Sequence, residues 1–156
     1  MKFIVIAVII ALAIFYFVRS STNKKLAIEN VAIGKAFLAK NKLNEAVLQT
    51  ASGLQYQVLA KGEGSVQPSA SSTVKVHYHG LLLDGTIFDS SVERGKPISF
   101  PLNQVIKGWT EGVQLMVVGD KFKFFIPAEL GYGSSSAGNI TPGSLLIFEV
   151  ELLEIQ

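Results

Sequence analysis

The last part of the chain alternates apolar and polar side chains, and this period of two constrains the fold most strongly. Between Leu145 and Ile155, Leu146, Phe148, Val150 and Leu152 form one apolar series. Val74, Val76 and Tyr78 form a second such series between polar neighbours. Only an extended strand places alternate side chains on one face, so both stretches are predicted to be half-buried strands.

Further strands are separated by glycine-marked turns. Leu54 to Leu59 and Lys121 to Ile126 also favour strands, and Gly62 to Thr73 is a turn-rich connection. Asp84-Gly85 predicts a tight hairpin turn. Trp109, Val113 and Met116 have helical spacing, so residues 109–116 are predicted to form a short helix. The economical architecture is α+β, with an antiparallel sheet packed against that helix.

The chain begins with an uncharged apolar run from Phe3 to Val18. Its sixteen residues correspond to roughly 24 Å of helix, just under the thickness of a bilayer's hydrocarbon core. The run is interpreted as an uncleaved membrane anchor, and a cleavable signal peptide is the competing interpretation. Basic residues flank the run on both sides, so the positive-inside rule does not assign an orientation.

The segment from Asn23 to about Thr50 contains good helix formers, with Leu26, Ile33 and Phe37 near one face. Gly34 and the neighbourhood of Asn41 weaken the pattern, which predicts one or two modest helices. This segment is either a spacer between the membrane and the next domain or a helix that pairs with a partner.

Charge and composition exclude several classes of function. The net charge of +2 is small and the basic residues are dispersed, which argues against a nucleic-acid partner. Because the chain has no cysteine, disulfides, thiolate metal sites and cysteine nucleophiles are excluded. After the apolar run ends at Val18, 138 residues remain, the size of one ordinary domain.

Aromatic and aliphatic residues are scattered through the second half of the chain, each beside a polar residue or a glycine-marked turn. They are Tyr78, Phe88-Asp89, Phe100, Val105-Ile106, Trp109, Tyr132 and Phe148. Such residues suit an apolar cleft with a few polar groups at its rim. That composition favours binding and twisting a peptide over cutting one, and so indicates work on proline.

Each candidate also has a simpler structural interpretation. Trp109 alone is more often a core residue than a ligand platform, and Asp89 could cap a turn. His77 and His79 point to one face of a strand and could bind a metal, but without a third ligand a solvated sheet face is favoured. Ser90-Ser91 has no base partner in a recognisable order, which argues against a hydrolase.

The order and spacing of three stretches resemble the FKBP family of peptidyl-prolyl cis/trans isomerases. These stretches are VHYHGLLLDGTIFDSSVERGKPISF, VIKGWTEGVQLMVVGDKFKFFIPAELGYG and LLIFEVELL, and the resemblance covers about residues 54–156. GKAFLAKN and SGLQYQVL are similar to the bacterial branch of macrophage-infectivity-potentiator-like and periplasmic members. In that branch a long helical arm forms dimers, but the arm here is cut short, so dimerisation is possible without being implied.

The resemblance implies a five- to six-stranded curled antiparallel sheet wrapped around one short helix. The residues before it predict a helical arm and a hydrophobic anchor helix. The chain is therefore divided into three segments: residues 1–19 as anchor or signal, 20–52 as spacer arm and 53–156 as the isomerase domain. The matched catalytic positions are Tyr78, Phe88, Asp89 and Tyr132. The matched substrate-binding positions are Phe100, Val105, Ile106, Trp109, Ile140 and Phe148.

In the family, the backbone N–H matching Ile106 and the hydroxyl matching Tyr132 bind ligand carbonyls, and Trp109 would form the pocket floor. The loop from Ser134 to Asn139 lacks the histidine that many eukaryotic members carry there, which bears on ligand preference. The resemblance implies no cofactor and no metal.

The resulting hypothesis is a prolyl isomerase anchored in the bacterial inner membrane by residues 3–18, with its catalytic domain in the periplasm. Its partners would be proline-containing unfolded or nascent exported proteins, and macrolides would inhibit the pocket. One alternative is a tethered chaperone or adaptor that uses the same cleft to bind unfolded segments. A third hypothesis is a structural role, in which the anchor and arm recruit the domain to a membrane complex.

Overall fold

The computed structural model describes residues 2–156, which form two α-helices and seven β-strands. In chain order these are α1 (Lys2–Asn41), β1 (Val47–Gln49), β2 (Gln55–Ala60), β3 (Thr73–Leu81), β4 (Ile87–Ser90), β5 (Ile98–Pro101), α2 (Lys107–Val113), β6 (Lys121–Ile126) and β7 (Leu146–Ile155). Short 3₁₀ turns occupy Leu102–Gln104 and Ala128–Leu130.

All strand pairs are antiparallel, and the strands follow the order β1-β2-β6-β7-β3-β4, with β5 pairing the first half of β3. This confirms the predicted α+β class and the antiparallel sheet. The sheet has seven strands within the described residues instead of five or six, because the three-residue β1 pairs with β2 at the edge. The hairpin prediction is also confirmed, since Asp84 and Gly85 lie in the turn between β3 and β4.

The alternation in β3 and β7 places one face of the sheet in the core. Val74, Val76 and Tyr78 of β3 are buried, whereas Lys75 and the intervening histidines are only half-buried. In β6, Phe122, Phe124 and Phe125 are all buried, as expected for core residues. The core therefore lies between the inner face of the sheet and α2.

Two glycines let α2 approach the sheet closely. A Cβ atom on Gly112 would lie 2.6 Å from Cε1 of Phe124, and one on Gly108 would lie 2.6 Å from Cγ2 of Ile126. The helix begins two residues before the predicted stretch and ends at Val113. Met116 N–H instead bonds the Val113 carbonyl three residues back, which tightens the last turn out of α-helical geometry.

Helix α1 is continuous over 40 residues, so the prediction of one or two modest helices between Asn23 and Thr50 was wrong. The helix ends at Asn41, and Val47 and Leu48 belong to β1 instead. A turn separates the two elements, in which Asn44 Oδ1 accepts a hydrogen bond from Ala46 N–H. Pairing with β2 then satisfies backbone groups that a longer helix would have used.

The C-terminal half of α1 packs on the chain's own β domain. Ala27 and Gly34 are buried there, and the Phe37 ring lies 5.8 Å from that of Phe125. Ile33, predicted on the packed face, is 51% exposed. The predicted boundary between anchor and spacer arm, at residues 19/20, falls inside α1. Strand β1 lies within the predicted spacer arm. The division into three segments stays a prediction.

The N-terminal half of α1 is exposed along its length. Among the described residues, α1 is the one helix long and apolar enough to cross a membrane by length and composition, and its most apolar window is 0% buried. From Ile4 to Val18, the large apolar side chains are between 52% and 72% exposed on every side of the helix.

Candidate active site

A cavity of about 580 Å³ opens between the inner face of the sheet, the start of α2 and the loop that follows Tyr132. All ten residues proposed from the sequence line it. They are Tyr78, Phe88, Asp89, Phe100, Val105, Ile106, Trp109, Tyr132, Ile140 and Phe148. The structure thus brings together positions that are spread along the sequence from β3 to β7, while the role of each residue stays a prediction.

Aromatic rings surround Trp109 at the floor of the cavity. Trp109 is 4% exposed and makes edge-on contacts with Tyr78, Phe100 and Phe148, at centroid distances of 5.4, 5.6 and 5.3 Å. Phe88 in turn packs edge-on against Phe148 at 5.2 Å. Edge-to-face contacts of this kind favour fixed ring orientations, so the floor is a preformed apolar surface.

Gly80 allows two of these rings to meet, and the sequence analysis did not identify it. A Cβ atom at Gly80 would lie 2.7 Å from the ring of Phe88 and 2.9 Å from that of Phe148. Gly80 also faces Asp89 and Phe148 across the β3–β4 and β3–β7 pairings. No local pattern marks it, because the crowding comes from rings on two other strands of the sheet.

A polar network stands at one edge of the cavity. The Tyr78 hydroxyl donates a hydrogen bond to Asp89 Oδ2, and Arg94 donates from Nη1 to Asp89 Oδ1. Arg94 Nη2 also donates to the Tyr78 hydroxyl oxygen at 3.0 Å, and the guanidinium lies 5.8 Å from the centre of the Tyr78 ring. These contacts fix the carboxylate of Asp89 beside the apolar floor.

The sequence analysis also missed Arg94. The sequence does place a cation, Arg94, five residues after Asp89, within the turn that closes at Gly95. A turn can bring such a cation back to the carboxylate, but only the folded chain shows that it does.

The network shifts the ionisation of its members. Partial burial raises the pKa of Asp89, but hydrogen bonds from Tyr78 and Arg94 and the positive charge of Arg94 outweigh it, so the net pKa is lowered. Burial and the hydrogen bond to Asp89 raise the pKa of Tyr78. At neutral pH the edge of the cavity therefore holds a carboxylate, a guanidinium and a neutral phenol.

The opposite rim is a loop of residues 132–141, hereafter the rim loop. Within it, Ala137 and Ile140 exchange two backbone hydrogen bonds of 3.0 and 2.9 Å, which turn the buried Ile140 side chain into the cavity wall. Tyr132 is 42% exposed beside it. The backbone N–H of Ile106, at the start of α2, makes no hydrogen bond within residues 2–156 and remains available to a ligand.

The indole Nε1 of Trp109 is buried and has no hydrogen-bond partner among the described residues. Leaving a buried donor unpaired costs free energy.

The histidines and serines of the β3–β4 region have structural partners. His77 Nδ1 lies 3.0 Å from Ser91 Oγ, and His79 Nδ1 lies 2.8 Å from Ser90 Oγ. Ser91 Oγ also accepts a hydrogen bond from Tyr78 N–H at 2.8 Å, which joins the chain after β4 to β3. Within the described residues, no group of three or more His, Asp or Glu is placed to hold a metal ion.

Comparison with models of protein families assigns the chain to a family. Residues 64–153 match the family model for FKBP-type peptidyl-prolyl cis-trans isomerase. The chain belongs to the FKBP-type peptidyl-prolyl cis-trans isomerase family. Residues 12–58 match the model of the domain that is amino-terminal to isomerases of this type.

Bacterial FKBP-type proteins are similar to most of the chain. An FKBP-type peptidyl-prolyl cis-trans isomerase FkpA of Aeromonas hydrophila is 58% identical over 132 residues, 85% of this chain and 49% of that protein. The 22 kDa FKBP-type isomerase of Escherichia coli is 53% identical over 80% of this chain and 60% of its own length. The outer membrane protein MIP of Legionella longbeachae is 45% identical over 88% of this chain and 59% of its own length.

The chain therefore spans about half to three fifths of the length of these relatives. A solved structure extends the likeness to the fold. The crystal structure of FkpA from Escherichia coli superposes with a TM-score of 0.86 at 42% identity, covering 94% of this chain and 70% of that one.

Proposed function

We propose that the protein catalyses cis/trans isomerisation of X-Pro bonds in folding polypeptides. The observation that carries this proposal is the cavity in which a buried aromatic floor meets the Tyr78–Asp89–Arg94 network. The chain's membership of the FKBP-type isomerase family supports the same activity.

The chemistry requires no bond to break. An X-Pro amide rotates over a barrier of about 18–20 kcal/mol because resonance gives its C–N bond double-bond character. A catalyst must bind the twisted amide more tightly than either planar form. The floor around Trp109 holds the pyrrolidine ring, and the apolar walls exclude water from the rotating carbonyl.

Polar groups then interact with the twisted amide from opposite sides. The Asp89 carboxylate, held by Tyr78 and Arg94, faces the carbonyl dipole as it reorients. The Ile106 N–H and the Tyr132 hydroxyl, which also line the cavity, donate to peptide carbonyls. Because Tyr78 and Arg94 hold the Asp89 carboxylate before the substrate binds, little reorganisation of this group accompanies rotation.

We further propose that the apolar half of α1 anchors the protein in the bacterial inner membrane, with the isomerase domain in the periplasm. Exposure of this half on all sides supports lipid contact. The substrates would be proline-containing unfolded or exported proteins, and macrolides that fit the cavity would inhibit the enzyme.

The test is the isomerisation rate of a short X-Pro peptide by the full chain in detergent, for wild type, Asp89→Ala and Asp84→Ala. Asp84 is the matched control because it is an exposed turn carboxylate that accepts a hydrogen bond from Thr86 N–H, outside the cavity. We expect Asp89→Ala to lower kcat/KM at least about tenfold, equivalent to about 1.4 kcal/mol of barrier. Its melting temperature should change little more than that of Asp84→Ala, since exposed ion pairs contribute about 0–1 kcal/mol.

Macrolide-sensitive turnover that is lost in Asp89→Ala would establish the activity and its site together. Equal kcat/KM in all three proteins would remove Asp89 from the mechanism. A folded protein that binds unfolded segments in competition with a macrolide, yet accelerates no X-Pro bond, would favour the tethered chaperone or adaptor instead.

A further inference from the structure

Helix α1 joins the apolar segment and the β domain without a break. Its 40 residues correspond to about 60 Å of continuous helix, and neither glycine nor proline interrupts the stretch from Arg19 to Asn30. Arg19 is the first charged residue after the apolar run and marks the membrane boundary of the proposed anchor. The domain therefore stands on a rigid rod instead of a flexible tether.

The rod is fixed to the chain immediately after the rim loop. Asn30 Nδ2 donates to the Pro142 carbonyl at 2.8 Å and to Thr141 Oγ1 at 3.1 Å. Gly143, with φ of 75°, approaches Ala27 so closely that a Cβ atom there would lie 2.3 Å from the Ala27 carbonyl oxygen. Contacts of this closeness require a single docked arrangement.

The rim loop lies along α1 on the membrane side of this dock. A hydrogen bond of 2.8 Å from Gly143 N–H to the Gly133 carbonyl joins the chain just after the loop to the loop's second residue. Ser134 lines a surface cleft together with α1 side chains between Leu12 and Lys24, among them Tyr16 and Arg19. The loop that supplies Ile140 and Tyr132 to the cavity thus lies beside the stretch from Arg19 to Asn30.

This geometry holds the cavity rim no higher above the membrane than the dock at Asn30, because the rim loop lies on the membrane side of that dock. The helix rises about 16 Å from Arg19 to Asn30. A flexible Gly-Ser segment of about eight residues has an r.m.s. length of about 16 Å. A proline about eight residues from the membrane boundary can therefore reach the cavity. Because the rod is rigid, the cavity does not reach prolines that lie far from the membrane surface.

We propose that the preferred substrates are X-Pro bonds within about ten residues of the membrane boundary, in polypeptides that are inserted in or emerging from the same membrane. This inference rests on the proposed isomerase activity and anchor. It assigns α1 a second role beyond anchoring, which is to select substrates by the distance of their proline from the bilayer.

The test uses the full chain in vesicles of phosphatidylcholine and phosphatidylglycerol. The substrates are single-span Leu-Ala helices, each followed by a Gly-Ser spacer and an X-Pro tail, and the same tail as a free peptide. Four spacers are compared, named short (about 3 residues), matched (about 8 residues), long (about 22 residues) and longest (about 40 residues), so that their r.m.s. lengths bracket the height of the rim.

Exchange NMR measures the isomerisation rate of each substrate. We expect the maximum at the short or the matched spacer, because the rim loop lies between the membrane boundary and the dock at Asn30. The rate at the longest spacer should be about tenfold lower, because effective concentration falls as roughly the −3/2 power of tether length.

An insertion in α1 sharpens the test. Seven helix-forming residues placed between Thr22 and Asn23 add about two turns, so they raise the domain by about 10 Å with little rotation. The maximum should then move towards the long spacer. Seven Gly-Ser residues at the same point are the matched control and should broaden the dependence on spacer length, while turnover of the free peptide stays unchanged in both variants.

The outcomes separate this inference from the proposed function. Three results would overturn distance selection while free-peptide turnover persists. These are equal rates at all spacers, a maximum at the longest spacer, and a maximum that does not move when the helical residues are inserted. Protein that does not float with the vesicles would overturn it as well, by removing the anchor. Absence of free-peptide turnover would instead refute the isomerase activity itself.

Discussion

The floor and the rim of the cavity are built in different ways. The floor consists of rings on β3, β5, β7 and α2, of which Trp109, Tyr78 and Phe148 are at most 6% exposed. The rim consists of a loop that is largely exposed, with Tyr132 at 42%, and is held by backbone turns and by contacts with α1. The floor of the cavity is therefore part of the hydrophobic core, whereas the rim is an exposed loop outside that core.

This difference separates stability from activity. Substitutions behind the floor should reduce the free energy of unfolding and leave the chemistry of the remaining folded molecules intact. Substitutions in the floor should affect both quantities. Changes at the rim should alter turnover with little change in stability, since few buried contacts depend on the rim.

The largest expected effect is that of Phe124→Ala, behind the floor. Phe124 is fully buried between Tyr56, Phe122 and Gly112, so removing its ring leaves a cavity. We expect a loss of about 3–5 kcal/mol in the free energy of unfolding, measured by urea denaturation of the detergent-solubilised chain. A loss below about 1 kcal/mol would show that the core does not depend on this residue.

Gly80→Ala tests the floor itself. The added methyl group would displace the rings of Phe88 and Phe148, at a cost of about 1–3 kcal/mol in stability. We expect kcat/KM to fall by more than this destabilisation explains, because the cavity wall moves. Gly64→Ala is the matched control, since its methyl group would lie 2.8 Å from the Val118 backbone nitrogen, outside the cavity. Equal losses of kcat/KM per folded molecule in both variants would contradict the distinction.

Tyr132→Phe tests the rim. Removing one exposed hydroxyl should change the melting temperature by less than the equivalent of about 0.5 kcal/mol. The proposed hydrogen bond to a peptide carbonyl would be lost, which corresponds to roughly 0.5–1.5 kcal/mol, or about two- to tenfold in kcat/KM. Tyr56→Phe, on β2 and outside the cavity, serves as the control. Unchanged kcat/KM in Tyr132→Phe would remove the hydroxyl from substrate binding.

The smallest effect is expected from pH near neutrality. Because the pKa of Asp89 is lower in the folded chain, its contribution to stability is complete above the unfolded value of about 3.9 and is lost as pH falls through the folded value. Turnover and melting temperature should therefore stay constant between about pH 8 and pH 5. Below about pH 4 the melting temperature of wild type should fall towards that of Asp89→Asn. A transition in the network near pH 6 would contradict the lowered pKa.

Two of the floor rings, Tyr78 and Phe148, could be predicted from the sequence, because period-two alternation fixes which side chains of β3 and β7 enter the core. The family resemblance then gave the ten residues of the cavity, all of which line it in the structure. Gly80 and Arg94 were missed, since each acts through a contact with no local signature: Gly80 through two rings on neighbouring strands, and Arg94 through a turn that returns to Asp89.

The sequence by itself determined the strands β2, β3, β6 and β7, the hairpin turn, the apolar segment and the family, because each depends on periodicity or on residues in a fixed order. Only the tertiary structure decided that α1 is one continuous rod docked on its own domain. Its docking face combines Ala27, Asn30, Gly34 and Phe37, and small and polar residues of this kind give no amphipathic pattern. What makes them an interface is the close approach of Gly143 and the Pro142 carbonyl, which lie near the opposite end of the chain.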